Sequence, residues 1–204
     1  MARDRAAQLK EIEKHGQGNK DLPLYAYRQE NSYQAVFGEG SPDAEIMFIG
    51  EAPGKQEAVQ GRPFVGAAGR TLDSLLESIG LERADVYITN ILKDRPPENR
   101  APQPTEIREY TPYLRQQIDV IRPRVIVTLG RFAMEFVLAE FGVPELGGKI
   151  SELHGRLLQA KASFGEVTVL PLYHPAVALY RRDQLDVLKQ DFQVLKKFTS
   201  DKKA

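Results

Sequence analysis

Four short apolar runs constrain the fold of this chain more than any other feature: Glu45–Ile49, Val86–Leu92, Val125–Leu129 and Val167–Tyr173. Each is nearly continuous in apolar residues, the pattern of a strand buried on both faces. Between them stand segments with helical spacing. Thr71–Ile79 carries Leu72, Leu75, Leu76 and Ile79, and Gly80 follows as a C-terminal stop. Thr105 reads as the N-cap of a helix running to Ile121, with Pro112 distorting it. Arg131–Phe141 places Phe132, Phe136 and Val137 on one side, and Leu185–Phe198 repeats Leu185, Leu188, Phe192 and Leu195. Strands alternating with helices predict an α/β fold of three layers, α/β/α, around a central, mostly parallel four-stranded sheet.

The expected organisation is a single domain spanning residues 1–204. A charged helix over residues 2–15 and a wrapping arm over residues 16–44 precede a core at 45–198, and a polar tail at 199–204 follows. No apolar run has the length of a membrane span, and the charged amino terminus lacks the apolar stretch of a secretory signal. A cytoplasmic protein without a membrane partner is therefore expected, and a monomer.

Charge and cysteine usage narrow the chemistry. The 28 basic and 28 acidic residues cancel, so a nucleic-acid surface has to be a local patch rather than a global excess. With no cysteine there is no disulfide, thiolate nucleophile or thiolate metal site, and three histidines are too few for a His-rich one. No metal site is expected.

The chemistry-bearing residues collect where strands end. Gly50-Glu51-Ala52-Pro53-Gly54 leaves the first strand, Glu57 follows, and Gly61-Arg62-Pro63-Phe64-Val65-Gly66 completes the loop. Loops at the carboxyl ends of parallel strands hold ligands in such folds, and glycine lets backbone approach them closely. Asn90 is polar inside an apolar strand, and its carboxamide can read an imide edge bidentately. His174-Pro175 opens an apolar then basic loop, Ala176-Val177-Ala178-Leu179-Tyr180-Arg181-Arg182, suited to entering a base stack while holding phosphate. Taken singly, each has a plainer reading. Glu51 and Glu57 suit a helix N-terminus, Phe64 a core position, Asn90 a loop carbonyl and His174 a turn.

Together these motifs resemble the uracil-DNA glycosylase superfamily, family 4 in particular. Thr89-Asn90-Ile91-Leu92-Lys93 and Arg95-Pro96-Pro97-Glu98-Asn99-Arg100 strengthen the likeness, which runs from about Val36 to Tyr180. The resemblance implies a DNA repair enzyme that flips uracil out of DNA and hydrolyses its glycosidic bond. It implies uracil-containing DNA, single- or double-stranded, as partner, free uracil as product, and a nucleoid location if the source is prokaryotic. In that reading Glu57 acts on the attacking water and His174 on the leaving base. Gly50, Glu51, Ala52, Phe64 and Asn90 bind uracil. Asn99, Arg100, Pro175, Ala176, Val177, Leu179, Arg181 and Arg182 meet the DNA.

One departure is plain. Family 4 carries four cysteines on an iron–sulfur cluster, and here the matching motif positions read Asp94 and Tyr110, with the amino-terminal pair falling within residues 20–28. No cofactor is expected, and Asp94 and Tyr110 are expected to pack where the cluster would sit. Two other functions stay open on sequence grounds. One is a non-catalytic DNA-binding member of the fold. The other is a glycosylase for another deaminated base such as hypoxanthine or xanthine.

Overall fold

In this computed structural model the structure describes residues 4–199. The expected tail beyond Thr199, and the first residues of the expected amino-terminal helix, lie outside the described residues.

The four expected runs form the parallel heart of the sheet. They are β2 (Ile46–Gly50), β3 (Tyr87–Asn90), β4 (Val125–Leu129) and β6 (Gly165–Leu172). The sheet has six strands rather than four, in the order β1-β3-β2-β4-β6-β5. The two additions are antiparallel edges: β1 (Glu39–Gly40) against β3, and β5 (Leu158–Ala162) in a hairpin with β6. Both lack the signal of the inner strands. β1 is two residues long, and β5 alternates buried and exposed positions because one side faces solvent.

Residue parity sorts the core into two layers. Met47 and Ile49 face one side with Ile126 and Val169, whereas Ile46 and Phe48 face the other with Val127 and Leu170. The first side is covered by α1 (Arg5–Gly18), α5 (Pro104–Ile121) and α6 (Arg131–Glu140). The second is covered by α4 (Ala67–Glu77) and α9 (Arg182–Gln193); the short α3 (Lys55–Gln60) precedes α4, and the short α7 (Ile150–Leu153) precedes β5. Thus the chain leaves β2 towards one face and leaves β4, its neighbour, towards the other. Such a divergence opens a crevice at the strands' carboxyl ends. Among the described residues no helix is long and apolar enough to cross a membrane.

Two local expectations change. Gln103, not Thr105, caps α5: its side chain and that of Glu106 form a reciprocal capping box, with Pro104 in the first turn. The expected arm holds a short helix, α2 (Tyr25–Glu30), which delivers Arg28 to the interior.

Arg28 meets Asp94 and Tyr110, the two residues that the resemblance sets at cysteine positions. The Tyr110 hydroxyl donates to Asp94 Oδ2 at 2.5 Å, and Arg28 Nη1 donates to Asp94 Oδ1 at 3.1 Å. Arg28 Nη2 also reaches the Gln17 carbonyl at 2.8 Å. All three residues of this triad are buried. Burial pushes the Asp94 carboxyl upward, and Tyr110 and Arg28 pull it back. The triad ties α2, the segment after β3 and α5 together. A guanidinium, a carboxylate and a phenol already satisfied by one another offer no thiolate, so the site does not fit an iron–sulfur cluster.

Removing one partner of a buried ion pair leaves an uncompensated charge. Arg28→Met is expected to lower the free energy of unfolding by about 3–5 kcal/mol. Denaturant melts check this, and an unchanged midpoint would rule out a structural role for the triad.

Candidate active site

The crevice holds a cavity of about 390 Å³ at the carboxyl edge of the sheet. Glu51, Ala52, Glu57, Phe64, Asn90, Asn99, Arg100 and His174 all line it. Three strand ends therefore converge as the sequence anticipates, from β2, β3 and β6.

Gly50 sits behind the lining. It pairs with Asn90 across β2 and β3. A Cβ on Gly50 would stand 2.3 Å from Asn90 Oδ1 and 2.7 Å from the Phe64 ring. The glycine is there because both site side chains occupy the space of a methyl group.

Phe64 is buried and has a φ of +51°, a left-handed conformation that is strained for a bulky residue. Three neighbours hold it. Glu57 Oε1 accepts the Val65 and Gly66 N–H groups, both at 2.9 Å. Arg83 donates to the Phe64 carbonyl at 3.0 Å and to the Pro63 carbonyl, while pairing with Glu39 and Asp73. Gly69 lets the Phe64 carbonyl approach where a Cβ would clash at 1.7 Å. Glu57 thus spends one carboxylate oxygen on the Phe64 turn, and its Oε2 packs at Gly54 with no hydrogen-bond donor among the described residues.

Asn90 is 2% exposed, yet its carboxamide has no hydrogen-bond partner among the described residues and faces the cavity. Its own carbonyl is engaged from below, by Lys93 Nζ at 2.8 Å.

His174 follows β6 and lies 5.7 Å from the Phe64 ring, centroid to centroid. Its Nδ1 accepts the Ala176 N–H at 3.2 Å. An accepting Nδ1 in a neutral ring leaves the proton on Nε2. Burial lowers the His174 pKa, opposed by the nearby Glu57 charge. The ring is therefore neutral at neutral pH and carries its N–H on Nε2. Glu51 differs: burial raises its carboxyl, against the pull of Arg131.

The residues expected to meet DNA divide. Asn99 and Arg100 line the cavity rim. The Arg100 guanidinium is forked onto Glu106 at 2.9 and 2.5 Å, and Arg95 holds Asn99 at 2.8 Å. Pro175, Ala176 and Val177 lead away from the cavity into α8 (Val177–Tyr180). Leu179 is 48% exposed and Tyr180 87% exposed, an apolar tip beside the cleft. Arg181 pairs with Asp183 at 2.7 Å on the surface, and the Arg182 side chain lies outside the described residues. Sequence reasoning gave no individual role to Lys55, Gln56 and Pro96 in the lining, and missed Arg83 behind Phe64 and the network under Asn90. Nothing in the linear pattern marks Arg83, since its partners lie 10 to 44 positions away.

Comparison with known proteins agrees with this geometry. The description "Uracil DNA glycosylase superfamily" matches residues 37–199, and the chain belongs to that superfamily. Within it, a type-4 uracil-DNA glycosylase of Sulfurisphaera tokodaii is 45% identical over 87% of this chain and 78% of its own length. A type-4 enzyme of Archaeoglobus fulgidus is 47% identical over 78% of each. A type-5 enzyme of Thermus thermophilus is 36% identical over 53% of this chain.

A neutral, buried His174 should titrate below its ordinary value of about 6.5. Ring resonances followed by NMR are expected to titrate with a midpoint below 6.5. A midpoint above 6.5 would show a charged imidazolium in the cleft.

Proposed function

We propose that this protein excises uracil from DNA by hydrolysis, in single or double strands, leaving an abasic site and free uracil, and that it does so without an iron–sulfur cluster. Its monomeric, intracellular action, at the nucleoid if the source is prokaryotic, belongs to the same reading. The observation that carries it is Asn90. Its carboxamide faces the cavity with no protein partner among the described residues, so both its oxygen and its N–H are left for a ligand. Uracil offers N3–H to the amide oxygen and O4 to the amide N–H. Cytosine presents the opposite pattern and leaves the buried groups unpaired.

The remaining roles follow from the geometry. The base has to leave the stack to enter a cavity of this kind, and Phe64 offers it a ring face. As the bond between C1′ and N1 breaks, its electron pair leaves with uracil, and the sugar becomes oxocarbenium-like. The Nε2–H of neutral His174 donates to uracil O2 as that charge develops. A neutral donor suits this, because protonated His174 would be opposed by burial. Water adds its oxygen to C1′, held by the free Oε2 of Glu57, and its proton ends on the departing base. The exposed tip at Leu179 fills the gap left by the base. The type-4 names of the relatives support the same substrate.

The test is single-turnover cleavage of a uracil-containing oligonucleotide, with hypoxanthine, xanthine and cytosine strands beside it. Uracil is expected to be released and cytosine retained. Asn90→Ala and His174→Ala are each expected to lower the rate roughly 10²–10³-fold, with DNA binding kept. Glu57→Ala should lose both water positioning and the Phe64 turn. Wild-type rates in Asn90→Ala would sink the assignment. The purified protein should also lack visible iron–sulfur absorbance, and a brown, iron-loaded protein would refute cluster-free action.

A further inference from the structure

Beneath Asn90 lies a buried lysine that the roles above do not use. Lys93 is 0% exposed, three residues past the end of β3. Its Nζ is within hydrogen-bond distance of the Asn90 carbonyl at 2.8 Å, Thr89 Oγ1 at 2.8 Å and Gln117 Oε1 at 2.7 Å. It also stands over the Phe37 ring at 6.0 Å.

The partners of these acceptors turn each of them towards Nζ. The Thr89 hydroxyl donates to the Phe37 carbonyl at 2.7 Å, so its oxygen is left to accept from Nζ. The Gln117 Nε2 donates to that same carbonyl at 2.7 Å and lies 3.2 Å from the Tyr87 hydroxyl, which leaves Oε1 as acceptor. The Asn90 carbonyl can only accept. Three acceptors converge on one nitrogen, and an ammonium has three donors where an amine has two. Burial opposes the charge and pushes the Lys93 pKa well down. The geometry answers that pressure with one donor for each acceptor. Among the described residues no carboxylate contacts Nζ: the neighbouring Asp94 is committed to Arg28 and Tyr110.

We infer that Lys93 is a positioning residue for the base pocket: its buried ammonium holds the Asn90 carbonyl, aims the carboxamide into the cavity and places positive charge behind the departing base. The inference rests on the uracil-excision reading. An unpartnered carboxamide has nothing of its own to fix its direction, so the backbone it grows from has to be fixed instead. Thr89 and Gln117 complete the clamp by tying Nζ to β3 and to α5. A cation enclosed in low dielectric also acts more strongly on a developing anion than one in water.

Two measurements test it. The first is 15N NMR of lysine Nζ in the wild-type protein at neutral pH. A slowly exchanging, three-proton Lys93 signal is expected, and a neutral amine overturns the inference whether or not uracil is excised. The second is Lys93→Met, which keeps the stem and removes the donors. A folded variant is expected to lose about 10²-fold in single-turnover uracil release. Its affinity for uracil-containing DNA should hold, and its preference for uracil over cytosine should narrow. Wild-type rate and preference in that variant overturn the inference, as does a rate loss matched by an equal loss of DNA binding. If Lys93→Met does not fold, the wild-type NMR measurement decides. If the wild-type protein releases no uracil, the excision reading fails, and the Nζ signal still reports on the clamp.

Discussion

The parallel pairing of β2 with β3 sets Gly50 beside Asn90, and the cleft depends on that register. The Asn90 carboxamide and the Phe64 ring both lie in the volume a Gly50 methyl group would fill. A slip of one residue would send the Asn90 side chain to the opposite face of the sheet. The register is held on the far side as well, where β2 pairs with β4 and β4 with β6, which ends just before His174. Three loops thus meet at one edge because four strands point the same way.

Around that edge the site is supported from outside its own lining. Arg83 and Glu57 hold Phe64 in a backbone conformation it would not adopt alone. Lys93, Thr89 and Gln117 hold the backbone of Asn90. The Ala176 N–H sets the ring nitrogens of His174. Each cavity-facing group keeps its reactive side free because a neighbour has taken the other side. That division lets one cavity offer a stacking face, a bidentate amide and a single N–H donor without conflict among them.

The interior contact of Arg28, Asp94 and Tyr110 stands where the resemblance to family 4 would set an iron–sulfur cluster. A cluster ties distant segments by metal–thiolate bonds. Here a charged pair and a phenol tie the arm, the segment after β3 and α5 by hydrogen bonds instead. The cost is a desolvated ion pair, whose worth depends on every polar atom being satisfied. The triad meets that condition by sharing Asp94 between two donors and giving Arg28 the Gln17 carbonyl.

Periodicity and motif spacing determined the strand runs, the main helices and most of the cavity lining. Buried parallel strands leave a dense apolar trace, and Glu57, Asn90 and His174 stand at strand ends that the alternation reveals. The edge strands β1 and β5 left little trace, because one is two residues long and the other is half exposed. The Asp94–Tyr110 contact was legible from the missing cysteines, but Arg28 was not, since α2 is too short to show a period. Arg83 and the Lys93 clamp were illegible because their hydrogen bonds include partners as distant as Glu39, 44 positions from Arg83, and Gln117, 24 positions from Lys93, and no local pattern records which partner the fold will supply. Sequence alone placed the chemistry at one edge of a sheet. Tertiary structure alone decided which atoms of those residues are held and which are left free, because that depends on groups brought together through space rather than along the chain.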